Sequence, residues 1–478
     1  MINTVNKIKN KRRESFFDHF EKLAPKLKRY RKRYAYFWND IVRYCNYFIH
    51  EDDSVLEIGC ATGDMLAKMK GAKKAGIDFS PKMIELAKEQ HPNIDFYVQD
   101  AENLSLNNTY DTIVLSHVTG YFVDVLKVFE SLKSVCHHRT RIIINYYNFL
   151  WEPALLIGEL FRIKRKSPKQ NWLTKKDLQT FLYLAGYETY RSSRRVLLPI
   201  NIPIISWLLN TFIGRLPFIN HLCINQYIFA RPICKLPQKE YSTTIIIPAR
   251  NESGNLENAI ERLPKFGPAQ EIIFIEGNST DDTWEQMQKL PEKYPQWDIK
   301  IGQQSGKGKG DAVRKGFSMA SGDILMILDA DLTVPPEDIP SFYYALTKNK
   351  GEFINGSRLV YPMERNAMRL LNLLGNKFFS IMFSWLLEQS IKDTLCGTKV
   401  IFKSDYEKLI KNRSFFGEFD PFGDFDLLFG AYKLNLKIVD LPIRYRERVY
   451  GDTNISRFSH GFLLLRMVGY AARMIKFY

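Results

Sequence analysis

From residue 53 to 148 the chain alternates short apolar runs, at 54–58, 75–78, 96–100, 112–116 and 141–145, with longer stretches of helical apolar spacing. Runs this short and continuous read as strands buried on both faces, and strands separated by helices pair in parallel through crossovers. A second series of the same kind begins at 243–248 and continues at 271–276, 324–329, 351–356 and 436–445. The pattern predicts an α/β chain built from two doubly wound parallel sheets. Between the two series, residues 231–242 are polar and include Pro232 and Pro237, which marks a boundary. The expected organisation is an arm at 1–34, a first domain at 35–232, a linker at 233–242, a second domain at 243–458 and an amphipathic helix at 459–478.

A length of 478 residues fits two domains better than one core. Charge separates the halves. Residues 1–240 hold 37 basic and 23 acidic side chains, and residues 241–478 hold 31 and 29, so almost all of the net charge of +16 lies in the first half. Within residues 1–33, 12 Lys and Arg stand against three acids, with Phe16, Phe17, Phe20, Leu23 and Leu27 at amphipathic helical spacing. Such a segment is either a solvated helix or an arm drawn to anionic lipid or a phosphate-bearing substrate. No nucleic-acid recognition motif accompanies it, so nucleic acid is not an expected partner. The six cysteines are scattered without metal-ligand spacing, which suits a reducing cytoplasm. The start of the chain is too charged for a secretory signal, and no run of 18 residues lacks polar breaks, so no membrane span is expected. Apolar stretches at 196–229, 367–387 and 461–478 are read as buried or interfacial helices, leaving room for peripheral contact with the cytoplasmic face of an anionic membrane.

After the first strand comes Glu57-Ile-Gly59-Cys-Ala61-Thr-Gly63, a tight turn that lets a ligand approach the backbone and aims helix N-terminal amides at it. The second strand ends in Asp78, where a carboxylate suits ribose hydroxyls, and the third in Gln99-Asp100-Ala101, placed to read an adenine edge. This ordered set resembles the class I S-adenosylmethionine-dependent methyltransferases over about residues 35–230, and Ala61 stands where that family usually has Gly. The resemblance implies a Rossmann-like fold and S-adenosylmethionine bound by Glu57, Gly59, Gly63, Asp78, Asp100 and Ala101. A dehydrogenase would need a pyrophosphate-cradling Gly-x-Gly-x-x-Gly, which is absent. Methyl transfer needs alignment, plus a base where the acceptor is a hydroxyl. His117, after the fourth strand, is either that base or structural, and Tyr146, Tyr147 and Asn148 are candidates for the acceptor pocket.

In the second half, the strand at 243–248 leads into Ala249-Arg250-Asn-Glu252, the next ends at Glu276, Gly308-Lys309-Gly-Asp-Ala-Val-Arg314 opens a helix, and Asp329-Ala-Asp331 follows an apolar strand about 80 residues after Pro248. Two carboxylates one residue apart can share a hard divalent cation that bridges a diphosphate. The combination, with Asp393-Thr-Leu-Cys-Gly-Thr-Lys399, resembles family 2 glycosyltransferases of the GT-A fold over about 241–458, above all the branch that uses dolichyl or other polyprenyl phosphates. The resemblance implies a nucleotide-diphosphate sugar held through Pro248, Arg250, Glu252 and Glu276, with Lys309 and Arg314 beside the diphosphate, Mg²⁺ or Mn²⁺ on Asp329 and Asp331, and inversion at the sugar. Ile275-Glu-Gly-Asn-Ser279 departs from the family's Val-Asp-Asp-Gly-Ser, which leaves the base open. A hydroxyl acceptor requires a carboxylate base, Asp424 or Asp426 by analogy. A lipid-linked phosphate acceptor requires cations, which Arg444, Arg446 and Arg448, followed by 451–456, can supply. The expected activity is a bifunctional glycosyl and methyl transfer onto a lipid-linked or glycan acceptor. The alternatives are a glycosyltransferase with a non-catalytic cofactor-binding first domain, and a non-enzymatic assembly factor at the membrane surface.

Overall fold

A computed structural model describes residues 2–161, 164, 166–236, 239–361, 370–411, 423–446, 448, 450 and 457–477. Of the segments singled out above, Pro237, 451–456, the beginning of 367–387 and the last residue of 461–478 lie outside the described residues. The chain folds into two compact units, Met1–Cys234 and Lys235–Tyr478.

The first unit begins with two helices, α1 (Ile2–Arg33) and α2 (Ala35–Phe48). Its sheet contains β1 (Ser54–Ile58), β2 (Lys73–Asp78), β3 (Asp95–Val98), β4 (Tyr110–Ser116), β5 (Cys136–Tyr147), β6 (Tyr187–Arg195) and β7 (Asn225–Pro232), in the order β3-β2-β1-β4-β5-β7-β6. The first five strands run parallel, and β7 enters antiparallel between β5 and β6. Strand order reverses between β1 and β4, the switch point at which a doubly wound sheet opens a crevice at its carboxyl edge. The core is the apolar content of these strands: Leu56, Ile58, Ile113, Leu115, Ile142 and Ile144 are all solvent-free.

Local chemistry fixes the crevice. The turn after β1 places Gly59 at φ +73, and a Cβ there would stand 2.6 Å from a Val118 methyl. Gly63 caps the short helix α3 (Asp64–Lys68) at φ +73. Ala61 also takes a left-handed conformation, φ 50, and its N–H donates to Asp78 Oδ2 at 3.0 Å. After β2, Ser80 accepts from Met83 N–H and Pro81 opens helix α4 (Pro81–Gln90), a standard N-cap followed by a first-turn proline.

The second unit holds β8 (Thr243–Ala249), β9 (Gln270–Glu276), β10 (Asp298–Gln303), β11 (Ile324–Ile327), β12 (Phe353–Ser357), β13 (Lys399–Phe402) and β14 (Ile438–Pro442). They lie in the order β10-β9-β8-β11-β13-β12-β14. β8, β9, β10 and β11 are parallel, β13 is antiparallel to β11 and β12, and β14 runs parallel to β12. Strands β6, β7, β10 and β13 had no counterpart in the predicted series. Among the described residues no helix is long and apolar enough to cross a membrane.

The turn conformations give an ordered expectation. Gly59→Ala should destabilise the first unit by roughly 1–3 kcal/mol, from the left-handed backbone and the Val118 clash. Ala61→Gly, which removes a Cβ from a left-handed position, should be neutral or stabilising by up to about 1 kcal/mol. Urea unfolding of the full chain, followed through the first unit's transition, measures both. A reversed order would contradict this turn geometry.

Candidate active sites

The carboxyl edge of the first sheet opens into a cavity of about 210 Å³. Glu57, Gly59, Asp78, Asp100, Ala101 and His117 share its wall. Gly63 does not: it packs against Phe96 and caps α3. Tyr147 lines the cavity, whereas Tyr146 donates to Gln226 Oε1 at 2.9 Å and Asn148 donates to the carbonyls of His221 and Cys223.

The carboxylates of this wall are removed from water. Glu57 is buried, its Oε2 has no hydrogen-bond partner among the described residues, and burial pushes its pKa up to about 8 against the partial opposition of Arg31. Burial also raises Asp78 to about 6, while the N–H groups of Ser80 and Ala61 pull the other way. His117 is held at φ 52 by its N–H to Asn145 O, with its ring centroid 4.0 Å from that of Tyr147 and 5.4 Å from that of Phe37. Burial pushes its pKa down to about 3, so the ring is neutral at physiological pH and a weak proton acceptor.

The opposite wall is α1. Phe16, Phe20, Leu23 and Leu27, the apolar stripe of the basic segment, face the cavity together with Arg13 and Arg31. Arg13 pairs with Asp100 at 3.0 Å and Glu102 at 2.6 Å, and Arg31 pairs with Asp64 at 3.2 Å. Glu21 accepts from the Ser80 hydroxyl, and Phe20 packs edge-on to Phe79 and Tyr121. The stripe was visible in the sequence, but the surface that it covers was not. A cationic cofactor fits this set: the orphan Glu57 oxygen and the Asp78 and Asp100 carboxylates supply the acceptors for an ammonium, a sulfonium and ribose hydroxyls.

In the second unit the strand ends converge likewise. Glu252 is buried after β8; its Oε2 accepts from Asn255, and burial lifts its pKa to about 7. Glu276 ends β9 and accepts from Ser279 N–H, while Arg250 is exposed and Pro248 half-buried. Both carboxylates of Asp329-Ala-Asp331 are paired. Asp329 binds the Lys309 ammonium, and Asp331 binds Arg448 at 2.6 Å while also accepting from the Thr333 N–H and hydroxyl. The other Arg448 amino group reaches Glu252 at 3.2 Å. Burial alone would lower the Lys309 pKa, but Asp329 and Asp424 outweigh it and hold the ammonium above its ordinary range.

Two helix N-termini meet at this site. Lys309 opens the helix Lys309–Met319 and Asp424 opens Asp424–Lys433, whose cap Gly423 sits against Gly310: a Cβ there would lie 2.8 Å from the Gly310 Cα. Asp424 is buried 3.4 Å from Lys399, and Asp426 lies 3.9 Å from Arg314. A Cβ on Gly397 would collide with both Lys309 and Asp329. Gly397 therefore leaves the space that the lysine-carboxylate pair occupies, a role that the motif around it did not reveal. Asp393 is fully buried in a two-point pair with Arg358, at 2.7 and 2.9 Å, again unforeseen. Of the arginines in the 444–448 run, only Arg448 enters the carboxylate cluster; Arg444 stacks over Tyr361 at 5.6 Å, and the Arg446 backbone bonds Thr333.

Among the described residues no group of three His, Cys, Asp or Glu side chains forms a ready metal cage. The donor chemistry of Asp329 and Asp331 nevertheless fits a hard divalent cation that takes few protein ligands and draws the rest from phosphate oxygens.

Comparison with known proteins agrees with the two-unit reading. Residues 49–186 match the methyltransferase domain model and residues 244–415 the glycosyl transferase family 2 model. A dolichol-phosphate mannosyltransferase from Pyrococcus furiosus is 30% identical over 250 residues, 49% of this chain and 66% of that protein. A dolichyl-phosphate beta-glucosyltransferase from Dictyostelium discoideum is 27% identical over 45% of this chain and 69% of that protein. The chain thus spans about two thirds of the length of each of these relatives. A solved SAM-dependent methyltransferase from Thermotoga maritima superposes on 45% of this chain and 99% of its own, with 12% identity and a TM-score of 0.36. The chain carries a methyltransferase domain followed by a family 2 glycosyltransferase domain.

Proposed function

We propose that the protein is a bifunctional transferase: the second domain moves a sugar, with inversion, from a nucleotide-diphosphate donor to a polyprenyl phosphate, and the first methylates from S-adenosylmethionine. The observation that carries the glycosyl-transfer half is the pairing of Asp329 with Lys309 and of Asp331 with Arg448 at the meeting point of two helix N-termini, and the methyl-transfer half rests on the acid-lined cavity with its orphan Glu57 oxygen. Acids matched by cations at two helix N-termini suit a ligand that is itself an anion accompanied by a cation. On this reading Pro248, Arg250, Glu252 and Glu276 hold base and ribose, Lys309 and Arg314 face the diphosphate, and Asp329 and Asp331 hold Mg²⁺ or Mn²⁺. A cation held there would supply neutralisation of charge on the departing nucleoside diphosphate. The acceptor phosphate oxygen attacks the anomeric carbon as the bond to the diphosphate breaks. An ionised phosphate surrenders no proton, so Arg448, leaving Asp331 and Glu252, serves as its clamp, with Arg444 and Arg446 further along. Asp424 or Asp426 becomes necessary as a base only for a hydroxyl acceptor.

The names of the two dolichol-linked relatives support the choice of acceptor. In the first domain, Glu57, Gly59, Asp78, Asp100 and Ala101 hold the cofactor, Gly63 shapes the turn, and α1 closes it off from water. His117, neutral and packed against the tilted Tyr147 ring, orients the acceptor more readily than it deprotonates it. The proposed setting is the cytoplasmic face of a membrane.

Incubation of the full chain with labelled nucleotide sugars, polyprenyl phosphate and Mn²⁺ should move label into the organic phase. Failure with every donor in a GDP- and UDP-sugar panel would sink the glycosyltransferase half. Labelled S-adenosylmethionine offered to the same lipid extract tests the other half, and Asp78→Ala should abolish that transfer.

Cofactor binding should depend on pH through Glu57. A cationic ligand favours the ionised carboxylate, whose pKa in the free protein is about 8, so a proton must leave when binding occurs below that pH. Affinity for S-adenosylmethionine should therefore rise by up to about tenfold per pH unit toward pH 8 and then level off. Calorimetric titration checks this, and Glu57→Gln should flatten the profile; an unchanged slope would exclude Glu57 as its source.

Arg448→Gln should tighten Mn²⁺ binding without nucleotide by roughly tenfold, since it removes the cation competing for Asp331 and Glu252. The same change should lower glycosyl transfer. Weaker Mn²⁺ binding in the variant would contradict the stand-in role.

A further inference from the structure

The first unit leaves an apolar surface uncovered beside its cavity. The helix Glu152–Leu160 contains no buried residue, and Leu156, Ile157, Leu160 (78% exposed) and Phe161 project from it into solvent. A second segment does the same through Ile204 (78%), Trp207, Phe218 (87%) and Leu222. The two are one surface: the Trp151 indole N–H donates to Leu222 O at 2.7 Å, and Asn148 bonds the carbonyls of His221 and Cys223. Ile204 and Phe218 sit at φ 66 and 70, conformations that bulky residues avoid, and each turns an apolar side chain outward. Single exposed apolar residues are ordinary; two strained ones within a continuous patch mark a binding surface.

Charge identifies the occupant. From Phe161 to Lys176 the sequence has seven basic residues and no acid, and none occurs between Glu188 and Glu240. Arg194, followed by burial and then Lys175, depresses the pKa of His221 at the rim, so positive charge borders the patch itself. The helix carries two acids, Glu152 and Glu159, the second paired with Lys164 at 2.5 Å; its remaining exposed apolar side chains, aromatic neighbours and cationic border suit the headgroup–acyl boundary of a bilayer better than a protein groove.

We infer that the first unit docks on an anionic lipid bilayer through Glu152–Phe161 and 204–222. Lys164 and Lys166, which follow the helix, also line the cofactor cavity, so a molecule seated in the bilayer would meet the cavity at its basic mouth. Resting on the methyltransferase reading, this makes the methyl acceptor a lipid-borne molecule with an anionic headgroup.

Hydrogen exchange of the full chain should show amides of 152–161 and 204–222 protected by phosphatidylcholine–phosphatidylglycerol vesicles, less by phosphatidylcholine alone, and less again in high salt. Ile157→Asp combined with Phe218→Asp should lower the vesicle-bound fraction about tenfold or more, while keeping the thermal shift given by S-adenosylmethionine. Vesicle binding with these segments unprotected would overturn the proposal, as would concentration-dependent protection without vesicles, the signature of a second copy. Protection together with no label transfer to any lipid would overturn only the acceptor assignment, and a missing thermal shift would strike the cofactor reading alone.

Discussion

Both sites are built on carboxylates taken out of water, and the surrounding structure is arranged around that cost. Glu57, Asp78, Glu252 and Asp424 sit at or beside strand and helix ends with little exposure. An unpaired buried carboxylate is expensive enough that it takes up a proton instead, which is the state that Glu57 approaches. Backbone N–H groups of the turns after β1 and β2, the guanidinium groups of Arg31 and Arg448 and the Lys309 ammonium each offset part of the penalty. Remove the parallel sheet, and these groups have no common edge at which to meet.

The sheet was the legible part. Parallel strands covered on both faces are continuous apolar runs, so β1, β2, β4, β8, β9 and β11 announce themselves over a few residues. Strands β6 and β13 do not. β6, Tyr-Glu-Thr-Tyr-Arg-Ser-Ser-Arg-Arg, lies at the sheet edge and has no aliphatic residue, its contribution to the core being Tyr187, and β13 has only four residues. The candidate residues at strand ends followed from the strands together with the family resemblance, which is why Glu57, Asp78, Asp100 and the Asp329–Asp331 pair could be proposed from sequence.

What sequence could not reveal was pairing over distance. Arg448 and Asp331 are 117 residues apart, and Arg13 and Glu102 are 89 apart. No local pattern encodes such contacts, because any surface arginine has the same sequence appearance as one that closes a site. The basic segment at 1–33 is the plainest case. Its stripe of Phe16, Phe20, Leu23 and Leu27 and its excess of cations describe an amphipathic helix, but a lipid surface and an acid-lined cavity present the same demand for apolar contact and positive charge. In the structure the cavity meets it, through Arg13 and Arg31.

The two units solve the same electrostatic problem with opposite signs, and this bears on their ligands. In the second, Asp329 and Asp331 each hold a strong cation, so the vacant balance suits an anion that brings its own metal. In the first, Arg31 reaches Asp64 through one amino group and lies over Trp38, and the Glu57 Oε2 has no hydrogen-bond donor among the described residues. A neutral or anionic ligand there would leave that carboxylate uncompensated, whereas a sulfonium bearing an ammonium would complete it. The anion-binding capacity of the first unit lies instead outside the cofactor wall, in the basic border of the apolar patch. On the proposed reading, separating a cation-seeking pocket from a basic rim would let one surface gather an acidic acceptor without competing for the cofactor's place.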